Sequence, residues 1–275
     1  MYYLIQFEPM SQRPGTTAAV KLFGSDNIAY WKRALAKYNA AVELTGKQKS
    51  KPELVRLDDW LWNQLPGDVR SRSPAHLTHS ELSDLMRWKL IRGKFRPLQG
   101  LVDSNSAASV VSATTKAMKC LDQGQWKAGL KELCALKGIG VATASAIAAL
   151  FSPETCEFMA DEVIETTCPR RDYTLPVYCV LQEGLMVKDR RLKSLRDSSV
   201  DVGGSGGGKR KNISDADPEA CLTCEDLGKA LWAVAVLSVQ APDIYGSVVA
   251  DSTGSEPAAQ TQPQPQATGR KKQKV

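Results

Sequence analysis

The stretch Leu133-Cys-Ala-Leu136-Lys-Gly138-Ile139-Gly140-Val-Ala-Thr143-Ala144 decides the fold, because it joins two helical patterns through a short glycine-containing turn. Gly138 and Gly140 suit a turn that needs positive φ and open space beside the backbone. Such a turn points backbone N–H groups and a helix N-terminus at one place, which favours an anion such as a phosphate. Apolar residues repeat at helical spacing on both sides, at Trp126, Leu130, Leu133 and Cys134 upstream and at Ala144, Ile147, Ala148 and Phe151 downstream.

This stretch resembles the helix-hairpin-helix motif of DNA-binding proteins, whose pattern is L-x-x-L-x-G-[IV]-G-x-x-[TS]-A. Every defining position of that pattern is occupied here. The alternative is an ordinary turn between two helices of a bundle, where glycine is also common. The resemblance implies contact with a nucleic-acid backbone and does not specify a reaction. The residues that it assigns to this contact are Gly138, Ile139, Gly140 and Thr143.

An aspartate follows the hairpin at a characteristic distance. Asp161 lies 23 residues after Gly138, and it precedes the apolar pair Val163-Ile164. In DNA glycosylases of the helix-hairpin-helix class, the catalytic aspartate lies at about this distance, at the start of the next helix. The resemblance, which covers about residues 125–165, therefore implies that Asp161 is catalytic. Its position before a helical pattern also predicts that Asp161 is the N-cap of that helix.

Two positions depart from this family. Bifunctional members carry a Schiff-base lysine two residues past the second glycine, whereas this chain has Ala142. Endonuclease III-type members read D-T-H or D-V-H at the aspartate, whereas this chain reads Asp161-Glu162-Val163. We therefore predict that a glycosylase of this sequence would release a base without the usual lyase step.

A basic run extends from Arg87 to Arg96, where five of ten residues are basic and none is acidic. The aromatic residues Trp88 and Phe95 are interleaved with these cations, which is typical of surfaces that bind a nucleic-acid backbone. A solvated helix end with both aromatics in the core is the alternative. The surrounding segment, Trp88 to Pro97, also resembles a eukaryotic family with this glycosylase-like fold, which implies a fold and no activity. The predicted backbone contacts in the basic run are Arg87, Lys89, Arg92, Lys94 and Arg96.

Lys89 is a second catalytic candidate. Helical spacing places it in the middle of an apolar stripe, and a lysine in that position usually extends along the surface to water. A lysine that is desolvated in a pocket would instead be a nucleophile or an electrophilic stabiliser. The apolar stripe consists of Leu82, Leu85, Met86 and Leu90.

The pattern over the whole chain predicts an all-α fold, because no convincing pair of strands is present. About nine short helices around a hairpin fit the glycosylase-like architecture, in which two helical lobes enclose a cleft. Helices besides the hairpin pair are expected at about residues 27–45, 52–65, 78–93, 106–121, 176–196 and 217–238, the third with a capping box at Thr78-x-x-Glu81. We predict a helical domain over residues 1–197 with its hairpin at about 125–151, a flexible linker over 198–216, a closing helix over 217–240 and a disordered basic tail over 241–275.

The net charge of the 275-residue chain is +6, and it is unevenly distributed. Seven positive charges lie in Lys209-Arg-Lys211 and Arg270-Lys-Lys-Gln-Lys274, so the rest of the chain sums to −1. These clusters are typical of nuclear import signals, and merely solubilising tails are the alternative. No secretory signal or bilayer-length apolar run is evident, and the seven scattered cysteines suit reduced thiols in the nucleus or cytosol.

Other chemistries lack the residues that they need. Cys221-x-x-Cys224 has no second pair to complete a structural zinc site, and His76-x-x-His79 lacks the context of a metalloprotease. Asp58-Asp59, which lies beside Trp60 and Trp62, is interpreted as two solvated carboxylates. We therefore expect no metal and no cofactor.

Three hypotheses about function follow from these observations. The first is a monofunctional, base-excising DNA glycosylase. The second is a nuclear adaptor or scaffold, for nucleic acid or for protein, that keeps the fold without catalysis. The third is a cytosolic helical scaffold that contacts no nucleic acid. No membrane partner is expected, and the sequence indicates neither the target base nor the oligomeric state.

Overall fold

The structure, a computed structural model, describes residues 14–201 and 221–250. Every regular element in these two ranges is helical, which confirms the predicted all-α class. In chain order the elements are α1 (Pro14–Gly24), α2 (Ile28–Ala36), α3 (Tyr38–Gln48), α4 (Glu53–Asp59), a π-helical turn (Trp60–Gln64), α5 (Leu65–Arg70), α6 (His79–Arg92), α7 (Gln99–Asp103), α8 (Ala107–Asp122), α9 (Trp126–Leu133), α10 (Val141–Phe151), α11 (Asp161–Thr167), α12 (Leu175–Asp201), α13 (Cys224–Gln240) and α14 (Pro242–Val249).

Helix α13 lies at the centre of one group of helices. It packs against α1, α2, α3, α11, α12 and α14. Most of its side chains are buried, among them Leu231 and Trp232, because apolar residues occupy all of its faces. A capping box at Thr223 and Asp226 starts this helix, and its N-cap lies six residues after residue 217, where the sequence pattern predicted the start.

The hairpin helices form a second group with α8. Helices α9 and α10 pack against each other and against α8, which also contacts α6. Helix α6 begins at the predicted capping box, in which Thr78 accepts from the Glu81 N–H and Glu81 accepts from the Thr78 N–H. Helix α8 begins at Ser106, whose hydroxyl accepts the Ser109 N–H. These starts were predicted correctly because their signals are local.

Several predicted boundaries are wrong. The single helix expected over 27–45 is broken at Lys37 into α2 and α3. Pro66 does not end the next helical segment, because it lies in the first turn of α5, where no N–H is needed. Residues 241–250 were expected to belong to a disordered tail, but α14 packs on α2 and α13 and buries Val248.

The predicted linker over 198–216 lies only partly within the residues that the structure describes. The linker predicted from residue 198 starts too early, since α12 continues to Asp201. The rest of that linker and the two basic clusters lie outside the described residues. Among the helices of residues 14–201 and 221–250, none is both long enough and apolar enough to cross a membrane.

Candidate nucleic-acid interface

The hairpin turn, residues 134–140, contains one glycine that the backbone requires. Gly138 has φ +75°, and a Cβ at this position would lie 2.9 Å from the Cγ2 of Val102. Gly138 therefore fits the turn against α7 and does not face an open cleft. Gly140 has φ −99° and ψ 178°, which any residue can adopt, so the expectation of positive φ there is wrong. No atom lies within 4 Å of a Cβ built on Gly140, so this side of the turn is open.

Asn105 holds the turn against α7, and no spacing pattern in the sequence pointed to this residue. Its amide nitrogen donates to the carbonyls of Lys137 (3.0 Å) and Val102 (2.8 Å). Its amide oxygen accepts the N–H of Lys137 at 2.9 Å. These bonds satisfy turn groups that have no partner within a helix. The turn is therefore held in one position by a buried side chain from 32 residues upstream.

The N-terminus of α10 is the open anion-binding feature of the hairpin. Gly140 is its N-cap and has no side chain to accept N–H groups of the first turn. The Thr143 N–H bonds to the Gly140 carbonyl at 2.9 Å, which leaves the N–H groups of Val141 and Ala142 without an intrahelical partner. These groups and the helix dipole favour a negative charge at this end. Ile139 is 5% exposed and Thr143 is 2% exposed. The side chain of Ile139 is thus part of the core, whereas Thr143 is buried in the cleft wall.

A cleft of about 600 Å³, called here the first cleft, adjoins this helix end. It brings together residues from the hairpin, from the basic run and from the start of α11. The predicted site residues that line it are Lys89, Arg92, Lys94, Arg96, Gly140, Thr143 and Asp161. Gly138, Ile139 and Arg87 do not line it.

The segment that leads to Asp161 is fixed by buried side chains from α10 and α12. The Ser145 hydroxyl accepts the N–H of Met159 at 3.0 Å. Gln182 accepts the N–H of Glu157 at 3.1 Å, and the Tyr178 hydroxyl donates to the Glu157 carbonyl at 3.0 Å. These bonds set the position of Asp161 relative to the N-terminus of α10.

Asp161 occupies the first position of α11, and Ala160 is the N-cap, so the prediction of an Asp161 cap is wrong. The hydroxyl of Tyr173 donates to Oδ1 at 2.6 Å. Nη1 of Arg171 lies 3.5 Å from Oδ2 and donates to Glu165 at 2.9 Å. Burial raises the pKa of Tyr173 to about 12, and the bond to Asp161 adds to this rise. The carboxylate thus lies in the cleft with two donors that lie 10 and 12 residues later in the chain.

Two of the three lysines that line the cleft, Lys49 and Lys89, have different environments. The ammonium of Lys49 donates to the carbonyls of Ile91, Arg92 and Gly93 at 2.8, 2.7 and 2.6 Å, which caps the C-terminus of α6. Burial lowers the pKa of Lys49, and the negative charge of Glu162 opposes this effect. Burial also lowers the pKa of Lys89, which the charge of Asp161 opposes. Lys89 is thus a partly desolvated amine beside a carboxylate.

The cations outnumber the carboxylates in this cleft. Five lysine and arginine side chains line it, against Asp161 and Glu162. Lys94 and Arg96 are exposed at its edge, whereas Glu162 lies deeper, where burial raises its pKa. The exposed charges at the edge of the cleft are therefore positive, which favours an anion there.

Arg92, which was predicted to contact a nucleic-acid backbone, is buried and is not exposed on the surface as Lys94 and Arg96 are. It is 7% exposed, and its guanidinium carbon lies 4.0 Å from the ring centroid of Trp232 and 5.1 Å from that of Phe158. Planar guanidinium groups stack well on aromatic faces. Arg92 therefore forms a wall of the first cleft from the core side.

Asp58 is buried too, so the interpretation of this residue as a solvated carboxylate is wrong. Its Oδ1 accepts from Nε1 of Trp88 at 2.7 Å and from the hydroxyl of Tyr38 at 3.0 Å. Burial raises the pKa of Asp58, and the charge of Arg92 opposes this rise. Trp88 is consequently a core residue, whereas Phe95, the other aromatic residue of the basic run, is 72% exposed.

Arg87 lies away from the first cleft. It is exposed, and its Nη2 is 3.7 Å from a carboxylate oxygen of Glu53. Both residues line a neighbouring cavity. The basic run thus divides between two cavities and the core.

Comparison of the chain with protein families, with curated proteins and with solved structures found no significant match. Within the described ranges, no group of three or more His, Cys, Asp or Glu side chains is arranged to hold a metal ion. The function therefore has to be argued from the geometry of the first cleft.

Proposed function

We propose that this chain is a nucleic-acid-binding protein, with DNA as its preferred partner, and that it has the glycosylase-like fold implied by its helix-hairpin-helix resemblance. One observation carries the proposal. The carboxylate of Asp161, the open N-terminus of α10 and the exposed cations of the basic run all border one cleft. Independent parts of the sequence, up to 70 residues apart, supply these three features.

Backbone binding would use the two positive features at the edge of the cleft. A phosphate at Gly140 would accept N–H groups from the first turn of α10, without steric hindrance from a side chain. Lys94 and Arg96 would contact neighbouring phosphates, because both side chains are exposed at this edge. Contacts of this kind do not read the base sequence and are weakened by salt.

Base excision would use the interior of the cleft. Its volume of about 600 Å³ falls within the range of small-molecule pockets, so a flipped-out nucleotide would be accommodated. The negative charge of Asp161 would stabilise the oxocarbenium-like sugar that forms as the base leaves. Ala142 lines the same cleft where bifunctional relatives would have a lysine. The expected product is therefore an abasic site that remains uncut.

A non-catalytic adaptor is the second candidate function, and one contact favours it. Both oxygens of Asp161 face donors, Oδ1 the Tyr173 hydroxyl and Oδ2 the Arg171 guanidinium. The cation partly compensates the charge that an oxocarbenium ion would need. In both candidates we propose a nuclear location, on the basis of the two lysine- and arginine-rich clusters in the sequence at 209–211 and 270–274.

The decisive experiment compares Asp161→Asn with Glu162→Gln. The two side chains line the same cleft, and each substitution removes one carboxylate charge with little change in shape. Base release and thermal unfolding are measured on duplexes that carry deaminated, oxidised, alkylated or mismatched bases. For a glycosylase, Asp161→Asn lowers the rate of base release by orders of magnitude, while DNA binding and stability persist. Glu162→Gln should retain most of the activity.

Two other outcomes decide against parts of the proposal. If the wild-type protein binds DNA but releases no base from any duplex, the catalytic hypothesis fails and the adaptor remains. If it shows no salt-sensitive affinity for DNA or RNA at micromolar concentration, both nucleic-acid hypotheses fail. The helical scaffold without a nucleic-acid partner is then the remaining hypothesis.

A further inference from the structure

A second cleft of about 730 Å³ lies beside the first. Lys49 and Gly93 line both cavities, so the end of α6 separates them. The five residues that follow α6, from Gly93 to Pro97, are all exposed. This connecting segment therefore has one cavity on each side.

Phe95 lies in the connecting segment and faces the second cleft. At 72% exposure it is the most exposed of the large apolar side chains in residues 15–197 and 221–250. Its neighbours Lys94 and Arg96 line the first cleft instead. An aromatic ring that contacts water without packing is a candidate binding surface, because its burial by a partner would be favourable.

The second cleft has no excess of either charge. Three cations and three carboxylates line it, and several already have partners. Arg87 is 3.7 Å from Glu53, and Asp103 accepts from the Ser83 hydroxyl at 2.7 Å and from the Gln99 amide at 3.0 Å. Such a lining does not favour a phosphate. It favours a neutral, flat ligand with a hydrogen-bonding edge.

We propose that Phe95 stacks on an unpaired nucleobase that occupies the second cleft, while Lys94 and Arg96 hold the phosphates beside it. This inference rests on the proposed function and names its substrate class, a duplex interrupted by an unpaired nucleotide. The flanking cations would hold the backbone at the same segment that presents the ring. Base–aromatic stacking tolerates any base, so the preference is for an unpaired base and not for a sequence.

The chemistry of the two clefts assigns them different parts of one strand. The edge of the first cleft has cations and the N-terminus of α10, which suit the charged backbone, while its interior is kept for the nucleotide that base excision would flip out. The second has Phe95, apolar Leu90 and Ile91, and balanced charges, which suit a base. A fully paired duplex offers the phosphates but not the base, so it should use only the first cleft.

The test measures affinity for two duplexes of identical sequence, one fully paired and one with a single-nucleotide bulge, at one fixed salt concentration. We expect the wild-type protein to bind the bulged duplex about tenfold more tightly, as one stacked base provides. Phe95→Ala should remove that preference and keep the affinity for the paired duplex. Phe95→Trp should retain the preference, and a fluorescent adenine analogue in the bulge should be quenched by both aromatic versions.

Val187→Ala is the matched control, because Val187 is an exposed apolar side chain on α12, 52% accessible, and lines neither cleft. It should leave both affinities unchanged. If Phe95→Ala keeps the preference for the bulge, the stacking role of Phe95 is wrong. If the wild type binds both duplexes equally, the inference fails while the proposed function stands. If neither duplex nor single strands bind in a salt-sensitive manner, both fail.

Discussion

Two groups of charges meet at the end of α6, one buried and one exposed. The buried charge cluster consists of Asp58, Arg92, Glu157 and Glu225, which are buried, and of Lys229, whose side chain is 16% exposed. The exposed group is Lys94 and Arg96 at the edge of the first cleft. Arg92 and Lys94 are two residues apart, but Arg92 stacks on Trp232 and Lys94 contacts water. Burial, and not sequence position or charge, distinguishes the structural cation Arg92 from the exposed cations that we propose to bind phosphates.

Removal of Arg92 should have the largest effect on stability. Arg92→Met keeps an apolar stem on the aromatic rings but removes one of the two cations, Arg92 and Lys229, whose charges oppose the rise in the pKa of the buried Asp58. We expect the free energy of unfolding to fall by about 2–3 kcal/mol, because the desolvated cation–π contacts with Trp88, Phe158 and Trp232 are lost. Lys94→Met is the control and should change it by less than ~0.5 kcal/mol. Urea unfolding of both variants measures this contrast, and equal stabilities would contradict the structural role of Arg92.

The pH dependence of stability should also come from the buried cluster. Burial raises the pKa of Glu225 from 4.5 to about 7, although Lys229, at 2.9 Å, opposes the rise. The folded state therefore binds a proton that the unfolded state releases between about pH 4.5 and 7. The contribution of this proton to the free energy of unfolding is complete below pH 4.5, the pKa of Glu225 in the unfolded chain, and is lost as the pH rises to about 7. We expect this loss to be on the order of 1–3 kcal/mol.

The measurement is unfolding by urea at several pH values, for the wild type and Glu225→Gln. Burial also raises the pKa of Glu157 and Asp58 in the same cluster, so the wild-type curve contains several contributions. The difference between the two proteins isolates Glu225. If the free energies of unfolding of the wild type and Glu225→Gln change in parallel between pH 4.5 and 7, the pKa of Glu225 is not raised in the folded state.

The two glycines of the hairpin differ in the same way, because Gly138 packs against Val102 and Gly140 is open. Gly138→Ala should lower the free energy of unfolding by about 2 kcal/mol, because φ is positive and the new methyl group would press on Val102. Gly140→Ala should be nearly neutral, since its Cβ meets no other atom within 4 Å. Gly140→Leu should weaken duplex binding at unchanged stability, because its side chain would cover the N-terminus of α10. Thermal unfolding and DNA titration of the three variants test this.

The smallest effect on stability, and a clear effect on binding, is expected for the exposed cations. The double variant Lys94→Ala/Arg96→Ala should unfold as the wild type does, within about 0.5 kcal/mol. Its DNA affinity should fall, and the slope of log affinity against log salt should decrease by ~2, about one for each lost phosphate contact. An unchanged salt slope would show that these two side chains do not contact the backbone.

The sequence predicted those features whose signals are local. The hairpin turn, the capping box at Thr78 and Glu81 and the start of α8 at Ser106 depend on neighbouring residues, and all three were placed correctly. The helix α14 was missed because Pro242, Gly246 and Ser247 are residue types common in loops, and because burial of Val248 depends on distant helices.

The candidate site was predictable in composition but not in its contacts. Asp161, Lys89 and Gly140 were named from the sequence, and all three line one cleft. Two residues that hold this site in place were not named. Tyr173, which donates to Asp161, and Asn105, which holds the turn at Lys137, are single polar residues without a periodic signal. The burial of Arg92 was likewise hidden, since it depends on Trp232, which lies 140 residues later in the chain.

Lys49 gives the two clefts a common reference point. It belongs to the end of α3, but its ammonium satisfies three carbonyls at the end of α6. The connecting segment that follows carries both the cations and Phe95, so its starting point is set by a side chain from another helix. In the proposed complex, Lys49 would therefore fix how far a stacked base lies from its own phosphate. Shortening it by one methylene, as ornithine would, should change which strand geometries the protein accepts before it changes how tightly any of them binds.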